Sequence, residues 1–389
     1  MPTTPPPTRR PLVHYAPWPL DYPNAVPKRE ASAFAAAGYD TVYVAGIGIR
    51  NPRASSALKA LDRLGRVARG PRPAAAAGGT ALRTASLLVA PPRQRLTFRR
   101  GNARWVAAQL RRMAAPWPEA VAWIWYPTPE LVDALALARP AAVVYEAYDA
   151  LEFTPGMTGR WKERILAADH ALASSADAVI ATSQALVDRY AELGIPAEHM
   201  PPGVDVPAVV APRRNDAVTA GFVGTLDHRV DVSWIRALAA QRPDWRIRLV
   251  GPVQESFPTQ GFDDLANVVL EPPVPNDRLH TTIAGFDVGL MPYVRDELAR
   301  YMSPVKNLEF MAAGIPAVAP PLRALEPFRD LLYFASSAEE FASAAQRAVA
   351  EDDEGRVCAR RAAAREQSWP HRHRAHLDLL HRLGVQPGG

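Results

Sequence analysis

Hydrophobic residues along the first half of the chain form short continuous runs, and the stretches between the runs have the three-to-four spacing of amphipathic helices. The runs predict strands at residues 12–16, 41–46, 86–90, 121–126, 142–147 and 178–182. The stretches between them predict helices at residues 28–37, 102–113, 128–138, 161–174 and 184–193. Alternation of strand and helix in this way predicts a parallel sheet covered by helices.

A second set of alternating elements begins after a Pro-rich, charged segment at residues 206–216. Its strands are predicted at residues 220–223, 246–250, 268–270, 287–291, 316–319 and 331–334, and its helices at 224–240, 276–284, 307–313, 339–351 and 369–383. Residues 50–82 mix Ala, Arg, Pro and Gly without a period, and we expect a mobile loop around residues 70–79. The chain is thus predicted to be α/β, with two doubly wound units.

The length of 389 residues also favours two domains over one core. We expect a disordered Pro-rich tail at 1–10 with no secretory signal, a first domain at 11–205, a linker at 206–216, a second domain at 217–366 and a terminal helix at 367–389. The single cysteine, Cys358, excludes an internal disulfide, and no apolar run approaches the length of a membrane span. These features predict a cytoplasmic location.

Positive charge is concentrated in the first domain. Residues 50–118 contain fifteen Lys or Arg and one acidic residue, whereas the whole chain has a net charge of +5. Such a segment attracts anions. Few aromatic residues accompany it and no nucleic-acid motif is present, so we expect peripheral contact with an anionic membrane surface, on the inner face of the cell membrane, and no nucleic acid. The alternative is a solvated Arg-rich face.

The chemistry of the second domain centres on residues 291–320. Lys306 and Glu309 are three apart on a predicted helix, so their side chains share a face. An ammonium suits a phosphate and a carboxylate suits sugar hydroxyls, so the pair predicts a nucleoside diphosphate site. Only four of the forty-five basic residues are Lys, which makes Lys306 more notable. The alternative is an exposed helical ion pair.

Further candidate residues lie on loops of the same domain. The turn at Gly224 and Thr225 follows a predicted strand, and its backbone N–H groups could receive a phosphate. Arg229 could reach the diphosphate and stabilise its developing charge, or it could simply pair with Asp231. Pro292 and Ser303 are expected to contribute to binding of the same nucleoside diphosphate.

These residues carry a resemblance to the GT-B glycosyltransferases, specifically the bacterial family-four-like polysaccharide and glycolipid transferases. The matching positions are Pro304, Lys306, Glu309, Phe310, Ala312, Gly314, Pro316, Ala317 and Val318, preceded by Ala-Asp-Ala at 176–178 and Gly-Val-Asp at 203–205. The resemblance implies two Rossmann-like domains facing a cleft and a last helix that returns to the first domain. It also implies that Glu309 binds the ribose and that the basic residue faces the diphosphate.

The implied activity is transfer of a sugar from a UDP-, GDP- or dTDP-linked donor, UDP being favoured, to a hydroxyl of a glycan, lipid-linked or small-molecule acceptor, with no cofactor. An epimerase of the same fold and a catalytically inactive scaffold are the alternatives. Many retaining members carry a Glu where this chain has Tyr301, which leaves retention or inversion open. Asp149, after a predicted strand, is the candidate general base for inversion, or else a helix cap.

No metal site is predicted. The chain lacks the Asp-x-Asp spacing of metal-dependent transferases, which fits the metal-independent chemistry of the GT-B family. The resemblance also implies a hexosyltransferase. The cluster of His371, His373 and His376 has no carboxylate partner in the sequence pattern. His14, in the first strand, could face the cleft or could be a packed histidine.

Overall fold

The structure is a computed structural model that describes residues 9–20, 26–46, 70–75, 81–90, 96–153, 157–208 and 217–387. The chain divides into two compact units. Unit 1 comprises residues 1–200 and 373–389, and unit 2 comprises residues 201–372. Most of the expected tail (1–10) and of the expected linker (206–216) lies outside the described residues, as does much of the basic segment 50–118.

Unit 1 is built on one mainly parallel sheet. Its strands are β1 (Pro11–Ala16), β2 (Asp40–Ala45), β3 (Arg72–Ala75), β4 (Ala81–Ser86), β5 (Val121–Ile124), β6 (Ala142–Ala147), β7 (Ala178–Ala181) and β8 (Glu198–His199). Their spatial order is β3-β4-β2-β1-β5-β6-β7-β8, and only the β3–β4 pair is antiparallel among them. Every residue of β1 is buried, as expected for a central strand covered on both faces.

Helices connect these strands. They are α1 (Val26–Ala36), α2 (Leu96–Met113), α3 (Pro129–Ala138), α4 (Gly159–Ser175) and α5 (Gln184–Glu192). The predicted cap of α5 is confirmed, since the Ser183 hydroxyl accepts a hydrogen bond from the N–H of Leu186 at 3.3 Å.

Two sequence predictions for unit 1 are wrong in position. The strand predicted at 86–90 is β4, which ends at Ser86, and the loop predicted around 70–79 contains β3. β3 lies at the edge of the sheet, where a strand tolerates a proline such as Pro73. The mixed Ala, Arg and Pro composition hides both strands from a search for apolar runs.

Unit 2 has a second sheet in which all the described strand pairs are parallel. Its strands are β9 (Thr219–Val223), β10 (Arg246–Val250), β11 (Val268–Glu271), β12 (Val288–Leu290), β13 (Ala317–Ala319) and β14 (Tyr333–Phe334). The spatial order is β11-β10-β9-β12-β13-β14. β9 and β12 therefore lie side by side in the middle of the sheet.

The helices of unit 2 cover both faces of this sheet. They are α6 (Val232–Gln241), α7 (Asn276–Ala284), α8 (Glu297–Tyr301), α9 (Lys306–Ala312), α10 (Ala338–Ala350) and α11 (Glu354–Glu366). The helix predicted from Gly224 is wrong in its start: α6 begins at Val232, after Asp231 caps it by accepting from the Ser233 N–H at 2.9 Å. The sequence analysis also missed α8 and α11.

Helix α11 escaped prediction because it has no apolar stripe. Its buried residues are Arg360, Arg361 and Ala364. Arg360 donates to the carbonyl of Gly314 at 2.8 Å, and Arg361 donates to the carbonyl of Ala312 at 3.0 Å. Ala312 is the last residue of α9 and Gly314 lies just beyond it, in the region where a helix leaves its last carbonyls without partners within the helix. Two buried arginines thus hold the end of α9.

The last helix, α12 (Trp369–Arg382), contains the second chain crossing between the units, at residues 372 and 373. Its later residues belong to unit 1, where Leu379 and Leu380 are buried in the same core as Trp123. The hydroxyl of Tyr39 donates to the carbonyl of Val385 at 2.8 Å, just beyond the helix. No helix within the described part of the chain is both long enough and apolar enough to span a membrane.

Candidate functional site

The strand order of unit 2 reverses between β9 and β12. From β9 the chain adds β10 and β11 on one side, and it then returns to place β12, β13 and β14 on the other. In open parallel sheets, ligands bind outside the carboxyl ends of the strands at such a reversal. The loops that leave these two ends, residues 224–231 and 291–296, form with Lys306 and Glu309 what we call the switch-point site.

The two loops are joined through their main chains. The N–H of Asp231 donates to the carbonyl of Pro292 at 2.7 Å, and the N–H of Val294 donates to the carbonyl of Arg229 at 2.8 Å. Both of these bonds involve a residue predicted for donor binding. Pro292 is buried, whereas the Arg229 side chain is 37% exposed. The backbone therefore fixes where the Arg229 side chain begins.

Gly224 brings the first loop against Lys306. It has a φ of 151°, and a Cβ at this position would lie 3.2 Å from Cε of Lys306. The N–H of Gly224 donates to the carbonyl of Val250 at 2.9 Å, so the prediction that this N–H is available for a phosphate is wrong. The glycine instead leaves space beside the lysine. Gly251 also has a φ of 151°, and a Cβ there would lie only 1.9 Å from the Gly224 carbonyl oxygen.

Lys306 and Glu309 contact each other directly. Nζ of Lys306 donates to Oε2 of Glu309 at 2.7 Å, and the two side chains are 23% and 12% exposed. This is the geometry of a helical pair three residues apart. Partial exposure leaves both groups within reach of a ligand, so the pair can serve as an ion pair in the free protein and as separate contacts in a complex.

Arg229 pairs with Asp227 and not with Asp231, the partner considered from the sequence. Its Nε and Nη2 donate to the Asp227 carboxylate at 3.0 Å and 2.7 Å. Partial burial disfavours the charged carboxylate, but the bonds with Arg229 outweigh this and hold the pKa of Asp227 below its usual value. The guanidinium is thus fixed in one orientation, with part of it open to solvent.

Tyr293 is a site residue that the sequence analysis missed. It follows Pro292 directly, is buried, and lies within electrostatic range of Arg229, Glu309 and Asp227. Burial raises the pKa of its hydroxyl well above the usual range, Arg229 acts against this increase, and the two carboxylates add to it. The hydroxyl therefore stays protonated at neutral pH and can donate. An aromatic residue directly after a buried strand and a proline was the available signal.

The positions of three further predicted residues do not test the roles expected for them. Thr225 is half-buried next to Gly224, and Ser303 is half-buried in the connection between α8 and α9. Asp149 lies in unit 1, exposed, in the bend that follows β6. Their predicted roles stay predictions.

One histidine matches a reading considered from the sequence, and another differs from expectation. His14 is fully buried within β1, as a packed histidine, and burial lowers its pKa to about 4. His371 is exposed, but His376 is buried with Nε2 3.8 Å from Oε1 of Glu30. The prediction that these histidines have no carboxylate partner is therefore wrong for His376. The sequence pattern could not indicate this contact, because Glu30 and His376 lie near opposite ends of the chain.

Known proteins resemble this chain in sequence and in structure. A family model described as "Glycosyl transferase-like" matches residues 229–378. TuaH of Bacillus subtilis (strain 168), provisionally named a teichuronic acid biosynthesis glycosyltransferase, is 27% identical over 161 residues. That match covers 40% of this chain and 41% of TuaH, so the chain spans well under half the length of this curated relative.

Solved structures match over nearly the whole chain. A sucrose-phosphate synthase from Thermosynechococcus elongatus is 16% identical with a TM-score of 0.68, covering 97% of this chain and 100% of the other. Anabaena HepE, solved in complex with UDP and glucose, is 13% identical with a TM-score of 0.63, covering 96% and 100%. These likenesses show the fold. The chain therefore has the GT-B fold, as the pattern at residues 304–318 had indicated, and its second unit contains most of the residues that resemble the glycosyl transferase-like model.

Proposed function

We propose that the protein is a glycosyltransferase that moves a sugar from a nucleoside diphosphate donor to an acceptor hydroxyl. The observation that carries this proposal is the meeting of Lys306, Gly224 and Glu309 where the strand order of unit 2 reverses. An ammonium beside a glycine provides both charge and space for a diphosphate, and a carboxylate three residues further along the helix provides an acceptor for ribose hydroxyls.

In the proposed reaction, the bond between the sugar's anomeric carbon and the diphosphate oxygen breaks while the acceptor oxygen forms a new bond to that carbon. The nucleoside diphosphate departs with the electron pair. Lys306, released from Glu309, and Arg229, oriented by Asp227, would neutralise the charge that develops on it. Because these cations belong to the protein, the step needs no metal on the diphosphate. Transfer should therefore proceed at the same rate when Mg²⁺ and Mn²⁺ are omitted.

Glu309 is the proposed ribose ligand. Once a diphosphate draws Lys306 away, the carboxylate is left with acceptor capacity that sugar hydroxyls can satisfy. Tyr293, neutral and buried beside it, can donate to the same part of the donor. Thr225, Pro292 and Ser303 would line the remaining contact. UDP is the favoured donor nucleotide, since HepE was solved with UDP and an E. coli structural relative with UDP-2-fluoro glucose.

Asp149 is the proposed general base if the reaction inverts the anomeric centre. Its carboxylate is exposed at the end of a unit 1 strand, so it can accept the proton that the acceptor hydroxyl loses. NMR of the product anomer checks this role. Inversion together with loss of activity in Asp149→Asn supports it, and retention excludes it.

The acceptor is proposed to be a glycan, a lipid-linked sugar or a small molecule, and helix α2 favours one presented at an anionic membrane. Its outer face exposes Arg100, Arg104, Trp105 and Arg112. A basic face with one indole suits the surface of an anionic bilayer. Co-sedimentation with phosphatidylglycerol vesicles should exceed that with phosphatidylcholine vesicles, and the difference should shrink in Arg100→Ala/Arg104→Ala. Equal binding to both vesicles would exclude the membrane component.

A thermal-shift screen of UDP, GDP, dTDP and ADP tests donor binding. One nucleotide should raise the Tm by mass action, and Lys306→Ala should weaken its affinity about 10- to 100-fold, because a hydrogen bond to a charged group contributes about 1.5–3 kcal/mol. Lys162→Ala in α4 is the control and should bind as the wild type does. No response to any nucleotide would favour the inactive scaffold, and isomerisation of a UDP-sugar without acceptor would favour the epimerase.

A further inference from the structure

Unit 1 contains a buried group of ionisable side chains that donor binding in unit 2 does not use. Glu30 of α1 and Glu146 of β6 are both 0% exposed, and His376 of α12 is 1% exposed. One ligand atom from each of the three lies within 4.8 Å of the others. We call this the Glu-Glu-His cluster. Its members come from three segments that are far apart in sequence.

Each carboxylate of the cluster is oriented by an indole. Nε1 of Trp125 donates to Oε2 of Glu30 at 3.0 Å, and Nε1 of Trp123 donates to Oε2 of Glu146 at 2.7 Å. The second oxygen of Glu30, Oε1, faces His376 at 3.8 Å from Nε2. Hydrogen bonds of this kind, from groups behind the ligands, fix ligating side chains in metal sites.

The donor atoms of the cluster have the chemistry of a cation site. Two carboxylates removed from water are costly unless positive charge lies between or beside them. Among the groups that adjoin them are the two indoles, the hydroxyl of Tyr43 and the imidazole of His14, whose Nε2 lies 3.4 Å from Oε2 of Glu30. Two carboxylates facing imidazole nitrogens are a donor set that suits zinc and similar divalent ions.

We propose that Glu30, Glu146 and His376 hold a divalent metal ion of the zinc class, with His14 as the adjacent further donor. The ligand atoms need to contract from separations of at most 4.8 Å to the roughly 3.3 Å that separates ligands around a tetrahedral zinc. The ion fastens α12 to α1 and β6. Its binding free energy is thereby part of the folding free energy of unit 1.

The test is the metal content of the full chain, purified without chelator and measured by inductively coupled plasma mass spectrometry. The expected result is about one zinc-class ion per chain, retained on gel filtration. Chelation with phenanthroline should lower the Tm by at least ~5 °C, and added Zn²⁺ should restore it. A metal-free chain whose Tm does not respond to chelator or to Zn²⁺ overturns the proposal.

Two near-isosteric variants separate a metal from a buried proton. Glu146→Gln keeps an oxygen for the Trp123 indole but removes the charge, and His376→Gln removes the imidazole. Both should lose the stoichiometric ion and the response to chelator, whereas His371→Gln, on the exposed face of the same helix, should keep both. If Glu146→Gln is as stable as the wild type or more so, the carboxyl carries a proton and the proposal fails. Metal that persists unchanged in both cluster variants is adventitious and likewise overturns it.

Discussion

The switch-point site of unit 2 and the Glu-Glu-His cluster of unit 1 both combine carboxylates with nitrogen bases, but they are built in opposite ways. Lys306 and Glu309 are three residues apart on one helix and remain partly exposed. Glu30, Glu146 and His376 lie on three distant segments and are buried. A local pair at a sheet edge can exchange partners with a ligand. A distant, buried group can only hold its own unit together. The comparison predicts activity effects in one region and stability effects in the other.

The largest effect is expected in the cluster. Glu30→Ala removes the acceptor of the Trp125 indole and leaves the other ionisable groups unbalanced, so unfolding should become easier by about 3–5 kcal/mol, the cost of breaking a buried charged pair. Denaturant unfolding followed by tryptophan fluorescence measures this. A Glu30→Ala variant as stable as the wild type would contradict the claim that the cluster stabilises unit 1.

Lys306→Ala should show the reverse pattern. In the proposed reaction Lys306 neutralises the departing diphosphate, so its loss should lower kcat/KM about 10²- to 10³-fold, equivalent to about 2.7–4 kcal/mol. The free energy of unfolding should change by less than about 1 kcal/mol, because the partly exposed pair with Glu309 contributes little. Kinetics and denaturant unfolding on one preparation check both values. A stability loss as large as that of Glu30→Ala would erase the distinction between the two regions.

Gly251→Ala tests whether the close contact between Gly251 and Gly224, at the carboxyl ends of β10 and β9, tolerates a side chain. A Cβ there would overlap the Gly224 carbonyl, and the backbone is in a region that favours glycine, so a loss of about 1–3 kcal/mol is expected. Gly101→Ala is the matched control, because a Cβ there meets no atom within 4 Å. It should be neutral or stabilise α2 by about 0.5–1 kcal/mol. Thermal unfolding of both variants measures the contrast.

The smallest effect concerns pH. The pKa of Asp227 is lower in the folded chain than its usual 3.8, because the Arg229 bonds outweigh partial burial. Its stabilising contribution is therefore present above pH 3.8 and is lost as the pH falls through the folded-state value. The stability advantage of wild type over Asp227→Asn should shrink below pH 3.8. A difference that stays constant from pH 6 to pH 3 would contradict the assigned pairing.

The sequence predicted much of the architecture because apolar strands are local signals. The buried strands β6 and β10 were located to the residue, as was α7. These local signals did not predict the elements whose structure depends on residues distant in sequence. β3 and β4 are defined by pairing, and α11 is buried through arginines that bind carbonyls of another helix.

The same division applies to the sites. Lys306 and Glu309 could be found because a helix brings neighbours three apart together, and the spacing alone carried that information. The contact of His376 with Glu30 could not be found, because it requires the end of the chain to pack near its beginning. Tyr293 and the pairing of Arg229 with Asp227 depend on loop geometry that no periodic pattern encodes.

The two buried arginines of α11 link the switch-point site to a helix that contributes no residue to it. Arg360 grips the Gly314 carbonyl from a position 46 residues downstream, and α9, which carries Lys306 and Glu309, ends just before that carbonyl. Lysine cannot replace it faithfully, since a guanidinium offers two N–H groups to one oxygen and an ammonium lacks that planar fork. Natural variation along α11 can thus change the position of α9, and with it the affinity of the proposed donor site, without any change in Lys306 or Glu309 themselves.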